Sequence, residues 1–275
     1  MSISLQTNVA SLMAQENLRV NNEFQNQTIG RLTSGYRINS SGDDAAGLSV
    51  ANGLRSSVTE LTQGVRNAND GISQLQIIDG GLSNISKILD RMKTLATESA
   101  SDTLTGTNSR ATLDQEFQDL IGEIDRQAGN IGLAKGGGFL KSLSIYIGGT
   151  TATVTVNLAT AEVDTDATSG LKLAGQKVDS ATNAGTAITA INAAIDTLGK
   201  AQGSVGSGEN KLGFAVSLAQ SQISSFSAAE SRIRDADVAA EAANLTKAQV
   251  LQQASVAAMA QANSAPQVVL GLLRG

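Results

Sequence analysis

Residues 188–233 read ITAINAAIDTLGKAQGSVGSGENKLGFAVSLAQSQISSFSAAESRI. They carry one unbroken heptad spacing. The seam runs Ile188, Ile191, Ile195, Leu198, Gln202, Val205, Glu209, Leu212, Val216, Ala219, Ile223, Phe226, Glu230 and Ile233, in steps alternating between three and four. Side chains at that spacing share one stripe of a helix and call for a partner helix. The spacing passes through GSVGSGEN without a slip, although glycine disfavours helix there. A helix of that span is roughly 70 Å long at 1.5 Å rise per residue. The stretch therefore specifies a rod.

The rest of the chain is compatible with a thin helical assembly. The 275 residues contain no cysteine, histidine or tryptophan, and aromatics make up 3%. Disulfides and thiolate metal sites are excluded. The commonest general base and metal ligand is absent. Leu, Ile, Val and Ala suit narrow helix interfaces. Any catalysis would have to use carboxylates, hydroxyls or lysine alone, and no cofactor or metal site is expected. The formal charge of −5 argues against a nucleic-acid partner, which needs a basic face. No apolar run reaches membrane-spanning length. The first twenty residues, MSISLQTNVASLMAQENLRV, lack the basic and continuous apolar regions of a cleaved signal. That reads as a cytoplasmic chain, or one exported without a cleaved signal peptide.

Outward from the seam, residues 1 to about 130 are helix-patterned, about 131 to 178 are rich in Gly, Thr and Val, and the remainder is helix-patterned again. Leu54, Val58, Leu61, Val65, Ala68, Ile72 and Leu75 form a second heptad run. Ile78 follows after three, and Leu82, Ile85, Leu89, Met92 and Ala96 resume the alternation. Two successive threes predict a stammer. Leu113, Phe117, Leu120 and Ile124 mark a third helix, after a turn in SASDTLTGTN. LSIYIGG and TATVTVNL predict a hairpin, with a weak third strand near Leu171–Leu173. This zone is too small to stand alone and is expected to pack on the helices. The fold class is mainly α: a long antiparallel coiled-coil-like rod with a small β-rich insert and pairing terminal helices. Its expected segments are 1–42, 43–178, 179–233 and 234–275.

The ends differ from the rod. Leu5, Val9 and Leu12 start a stripe that dissolves into polar residues; Val238, Leu245, Val256 and Met259 are sparse among Ala, Gln and Asn. Such stripes are too thin to hold isolated helices in water. The tip VVLGLLRG, with Val269, Leu270, Leu272 and Leu273, has no partner in the sequence. These features point to ends that order when buried against other copies.

Asp43 and Asp44 precede AAGL, where carboxylates cap and complement a helix start. GGG at 136–138 lacks the Lys-Ser/Thr and frame of a phosphate loop. Glu209 and Glu230 on the seam are costly if buried unpaired. Either they pair with Arg or Lys of another helix, or the seam is exposed there.

RLTSGYRINSSGDDAAGLSVANGLR (Arg31–Arg55) resembles the N-terminal signature of bacterial flagellins. SRIRDADVAAEAANLTKAQVLQQASVAAMAQANSAPQVVLGLLRG (Ser231–Gly275) is similar to their C-terminal signature; NANDGISQLQIIDGGL and GEIDR fit as well. The resemblance implies terminal segments that pair in an inner tube and self-assemble into an extracellular filament for swimming. It implies a bent connection around Arg31, Leu32, Asp43 and Asp44 that contacts neighbouring subunits. Partners implied are further copies of the chain, the flagellar export apparatus with a chaperone, and the hook-associated and cap proteins. A hook–filament junction protein, similar at both ends, is the alternative. The metallopeptidase insert of some flagellins needs HExxH and is excluded by the absence of histidine. In flagellins sensed by vertebrate Toll-like receptors, an Arg, a Leu and a Glu form the contact. Arg91, Leu95 and Glu116 match those positions, with Thr94 where the motif usually has Glu.

Overall fold

A computed structural model of the chain describes residues 8–101, 107–149, 153–166 and 168–274, with the backbone alone at 107 and 265–274. In order it forms α1 (Val9–Ser34), α2 (Ala45–Ala100), α3 (Thr107–Asn130), β1 (Ser142–Tyr146), β2 (Thr153–Asn157), α4 (Ala181–Arg234) and α5 (Val238–Arg274). The chain divides into two compact units, one formed by Ser57–Ser224 and one by the chain on either side of it. The expected boundary at 42/43 falls in the α1–α2 connector and that at 233/234 before the last residue of α4, whereas the compact units divide inside α2 and α4.

In the Ser57–Ser224 unit, α4 is unbroken through GSVGSGEN. Its buried stripe is Ala184, Ala187, Ile191, Ala194, Leu198, Ala201, Val205, Gly208, Leu212 and Ala219. Every second expected seam position is thus displaced by one residue. Ala187, Ala194, Ala201 and Gly208 occupy the centre, and Ile188, Ile195, Gln202 and Glu209 are half-buried flanks. Sparse apolar counting finds the large flank residues and passes over the small central ones. The displacement eases the cost of Gln202, which is half-buried; Glu209 is half-buried as well, but its Oε1 is buried without a hydrogen-bond partner.

The same correction removes the stammer from α2. Within this unit its central buried stripe is Leu61, Gly64, Ala68, Gly71, Leu75, Ile78, Leu82, Ile85, Leu89, Met92, Ala96 and Ser99, in strict steps of three and four, with Leu95 buried beside it. Val58, Val65 and Ile72 flank this stripe, half-buried. In α3 the buried residues are Phe117, Ile121, Ile124 and Ala128, with Leu120 alongside. A Cβ on Gly71 would lie 3.4 Å from Leu212 Cδ1, and one on Gly208 would lie 3.2 Å from Leu75 Cδ1. Gly71 therefore faces Leu212 while Leu75 faces Gly208, so α2 and α4 run antiparallel.

The hairpin forms as expected, β1 antiparallel to β2 with Ile145 opposite Val154 and Leu143 opposite Val156. It lies against glycines of both long helices. A Cβ on Gly64 would sit 1.5 Å from the Ile147 carbonyl oxygen, and one on Gly208 would sit 2.5 Å from Val156 Cγ1. Glycine costs a helix about 1 kcal/mol relative to alanine. Here that cost permits contact with the hairpin, burying Ile145, Ile147 and Val156. The weak third strand is absent: Lys172 takes a positive φ of 55° between buried Leu171 and Leu173. The segment instead turns back, with the Leu171 and Ala174 N–H groups donating to the Asp164 and Thr165 carbonyls. Asp125 of α3 accepts from the Thr165 N–H and hydroxyl, and Asp114 accepts from the Val178 N–H. These carboxylates fasten the insert to the helices.

Candidate assembly site

The other unit pairs the two ends of the chain. Asn8 caps α1, its Oδ1 accepting from the Ser11 N–H at 3.1 Å. The same side chain donates through Nδ2 to the Ala262 carbonyl of α5 at 2.8 Å. Further along, Asn21 Nδ2 donates to the Ala248 carbonyl at 2.9 Å, and Arg31 pairs with Glu241 at 3.3 Å. Partner numbers fall as α1 numbers rise, so α1 and α5 are antiparallel. Gln252 adds a bond to Asn22 at 3.1 Å.

This seam is mostly small and polar. Along α1 it runs Ser11, Ala14, Leu18, Asn21, Gln25, Thr28 and Leu32, again in threes and fours. Along α5 it runs Glu241, Leu245, Ala248, Gln252, Ser255, Met259 and Ala262. Apart from Leu18 and Leu32, the larger apolar residues of α1 face elsewhere. Val9, Leu12, Met13 and Val20 are 58%, 55%, 62% and 51% exposed, and Phe24 is 37% exposed. At 3.6 residues per turn their stripe is centred roughly 150° around α1 from the seam. On α5, Val238, Val250, Leu251 and Val256 are exposed. The terminal pair thus carries polar residues at half of its named seam positions and large apolar residues on its outside, unlike an isolated soluble helix pair.

The expected assembly residues that the structure describes fall on different faces. Val9, Leu12 and Val256 are on exposed faces; Leu32, Leu245 and Met259 are half-buried in the seam. Arg31 holds buried Glu241 from across the seam. Leu5 lies outside the described residues. Val269, Leu270, Leu272 and Leu273 continue helix α5, and their side chains lie outside the described residues. Met13, Val20 and Phe24 extend the stripe beyond the sequence reading. Their spacing from Val9 was the available signal. The hydrogen-bonding roles of Asn8, Asn21 and Glu241 had no such signal, because polar seam residues look like surface.

The connectors are tied together. Gly35 ends α1 at φ 72°, its N–H returning to the Arg31 carbonyl. Tyr36 then bridges Asp235, the Arg37 N–H donates to the Arg234 carbonyl at 2.6 Å, and the Ala236 N–H donates to the Gly35 carbonyl at 2.9 Å. The Arg234 guanidinium lies 4.2 Å from the centre of the Tyr36 ring, a cation–π contact. Asp44 is the cap expected for α2, its Oδ1 accepting from the Gly47 N–H at 2.8 Å. Asp43 does something else. It accepts from the Ser40 and Asn39 N–H groups and from Gln27 Nε2, organising the turn before the helix. The Ser40 N–H, the Gln27 amide and the Asn39 N–H favour the ionised form, holding its carboxyl down at about 2.

The receptor-contact residues belong to the Ser57–Ser224 unit. Arg91 and Glu116 join at 2.6 Å with side chains 54% and 43% exposed. Leu95 does not share their surface. It is 1% exposed, because it falls on the inward stripe of α2, beside Met92 and Ala96. The expectation of a direct Leu95 contact is corrected accordingly.

These features define a mainly helical protein whose two ends pair as an antiparallel coil with a stripe of large apolar residues on its outside. The bacterial flagellin N-terminal helical region matches residues 5–131, and the bacterial flagellin C-terminal helical region matches residues 188–273. The flagellin of Halalkalibacterium halodurans is 34% identical over 272 residues, covering 97% of this chain and 98% of that one. The flagellin of Listeria monocytogenes is 35% identical over 286 residues, covering 98% and 99%. A flagellar filament 30.7 kDa core protein of Treponema maltophilum is 32% identical over 280 residues, covering 97% and 98%. The chain belongs to the bacterial flagellin family.

Proposed function

We propose that the chain is the structural subunit of an extracellular flagellar filament and carries no enzymatic activity. The observation that carries this reading is the outward apolar stripe Val9, Leu12, Met13, Val20 and Phe24 on a terminal pair whose own seam is half polar. Exposed apolar area of this kind is covered by association, about 25 cal/mol per Å² favouring its burial. Segments 1–42 and 234–275 are the assembly segments, with Asn8 and Asn21 fixing how they align. The hook–filament junction reading is not favoured, since relatives matched along nearly their whole length are flagellins and a filament core protein. Export passes through the flagellar apparatus with a chaperone and no cleaved signal peptide, as the family resemblance implies. Hook-associated and cap proteins bound the filament. Arg91 and Glu116 are the residues that support recognition of free subunits by a vertebrate Toll-like receptor.

The test is electron microscopy of the purified chain after seeding with sheared fragments in salting-out conditions. Long uniform fibres are expected from the full chain, and none from a chain lacking Gln267–Gly275. Persistent monomers or short rings from the full chain, or full-length fibres from the truncated one, would overturn the reading.

A further inference from the structure

We propose that Met13 is a reversible oxidation site that controls whether a free subunit can assemble. The chain has four methionines, Met1, Met13, Met92 and Met259. Met92 is 0% exposed in the Ser57–Ser224 core, and Met259 is half-buried in the α1–α5 seam. Met13 is 62% exposed in the middle of the outward stripe, between Val9 and Val20. Its thioether is open to solvent in the free subunit, and that accessibility governs oxidation.

The reactant is a hydroperoxide, with hydrogen peroxide as the simplest case. A sulfur lone pair of Met13 attacks the terminal oxygen, the S–O bond forms as the O–O bond breaks, and hydroxide leaves to take up the released proton as water. Sulfur is oxidised by two electrons and the peroxide is reduced by two. The product is a polar, chiral sulfoxide in an otherwise apolar stripe. Packing that stripe against another copy would strip water from the sulfoxide oxygen, a cost wherever no donor replaces it, and so disfavours association. A methionine sulfoxide reductase reverses the change with two electrons and two protons from a dithiol, which becomes a disulfide as the sulfoxide oxygen leaves as water. No cysteine or histidine competes for the oxidant in this chain. Once a subunit is packed, the same burial shields the sulfur, so sensitivity belongs to the free form.

This inference rests on the reading of the α1 stripe as an assembly face, and the experiment separates the two. Free subunits and finished filaments are treated with hydrogen peroxide, the sulfoxides are mapped by peptide mass spectrometry, and seeded elongation is followed by light scattering. In free subunits Met13 is expected to oxidise at least tenfold faster than Met92, and elongation to slow at least tenfold. Met13→Leu is expected to keep its own untreated elongation rate within twofold after peroxide, whatever that untreated rate is. Reductase treatment of the oxidised parent restores elongation, and filaments spare Met13. The inference is overturned if Met13→Leu loses elongation in parallel with the parent. It is equally overturned if Met13 oxidises as fast in filaments as in free subunits, or if its sulfoxide leaves elongation unchanged. Untreated Met13→Glu supplies the separation: normal elongation by that variant would show that the assembly reading of the stripe itself had failed.

Discussion

Replacing Gly64 by alanine tests whether the glycines of the long helices serve contact or flexibility. If Gly64 were merely a weak point in α2, Gly64→Ala would stabilise the helix by about 1 kcal/mol. The structure opposes that expectation. The new Cβ would lie 1.5 Å from the Ile147 carbonyl oxygen and 2.3 Å from its carbon. No rotamer change relieves a clash with backbone, so the hairpin must lift away. Overpacking costs about 1–3 kcal/mol where side chains can yield. A backbone clash belongs at or above the top of that range, leaving a net loss of about 2 kcal/mol after the propensity gain. For a unit of this size roughly 2–4 °C of melting temperature accompanies each kcal/mol, so the melt should fall by about 4–8 °C. Gly203→Ala is the matched control. It lies in α4 with nothing within 4 Å of its added Cβ. It should raise the melt by about 2–4 °C. Thermal unfolding followed by helical circular dichroism reads both. Amide exchange at Ile145 and Thr155 should quicken in Gly64→Ala alone. Equal rises in both variants, with exchange unchanged, would refute close approach as the reason for glycine at 64.

Other substitutions probe the connectors and the seam. Asp44→Ala should cost about 1 kcal/mol of helix-start stability, seen as faster exchange of the Gly47 amide, with Asp44→Asn close to the parent. Asn21→Ala should weaken the α1–α5 pair by about 1 kcal/mol and lower the temperature at which assembled filaments dissociate, measured by light scattering. Asp43 has a depressed carboxyl, so its hold on the 39–43 turn is complete above its ordinary value near 3.8 and is lost as pH falls through about 2. A carboxyl NMR midpoint near 3.8 would contradict that. Arg91→Ala should change the melt by less than about 1 kcal/mol equivalent, since the Arg91–Glu116 pair is solvent-exposed.

The helices, their antiparallel return and the hairpin were legible because large apolar residues recur at the spacing each element demands. The centre of the seam was not. Ala187, Ala194 and Gly208 on α4, with Gly64 and Gly71 on α2, carry little or no side-chain signal, so a pattern search fixes on the larger flanking residues. The apparent stammer at Ile78 came from counting Val65 and Ile72 as seam while Gly64 and Gly71 were the buried positions. Leu95 was placed with Arg91 because four residues make about one turn. The inward stripe is narrow enough for that small rotation to move a side chain from surface to core. At the chain ends the limit was chemical. Asn21 looks like surface, and only the position of Ala248 reveals the carbonyl that it serves.

That polarity bears on how assembly is regulated. A seam of leucines would pair α1 with α5 firmly in a free subunit, and would pair equally well with other leucine seams. Asn8 and Asn21 instead contribute directional bonds, each worth about 1 kcal/mol net and dependent on correct alignment. Such a seam specifies register but stabilises weakly, much as a single buried asparagine fixes the alignment of a coiled coil at some expense of stability. The apolar driving force resides on the outer stripe and is realised only against another chain. Partner and fold are thereby coupled: the terminal helices gain their hydrophobic stabilisation when the neighbouring surface is present, and their alignment is already set by the bonds within. Exchanging these roles, with Asn21→Leu and Thr28→Leu on the seam, should raise the helicity of the free subunit while reducing seeded elongation. Higher helicity with undiminished elongation would separate the two functions and remove the case for a deliberately weak seam.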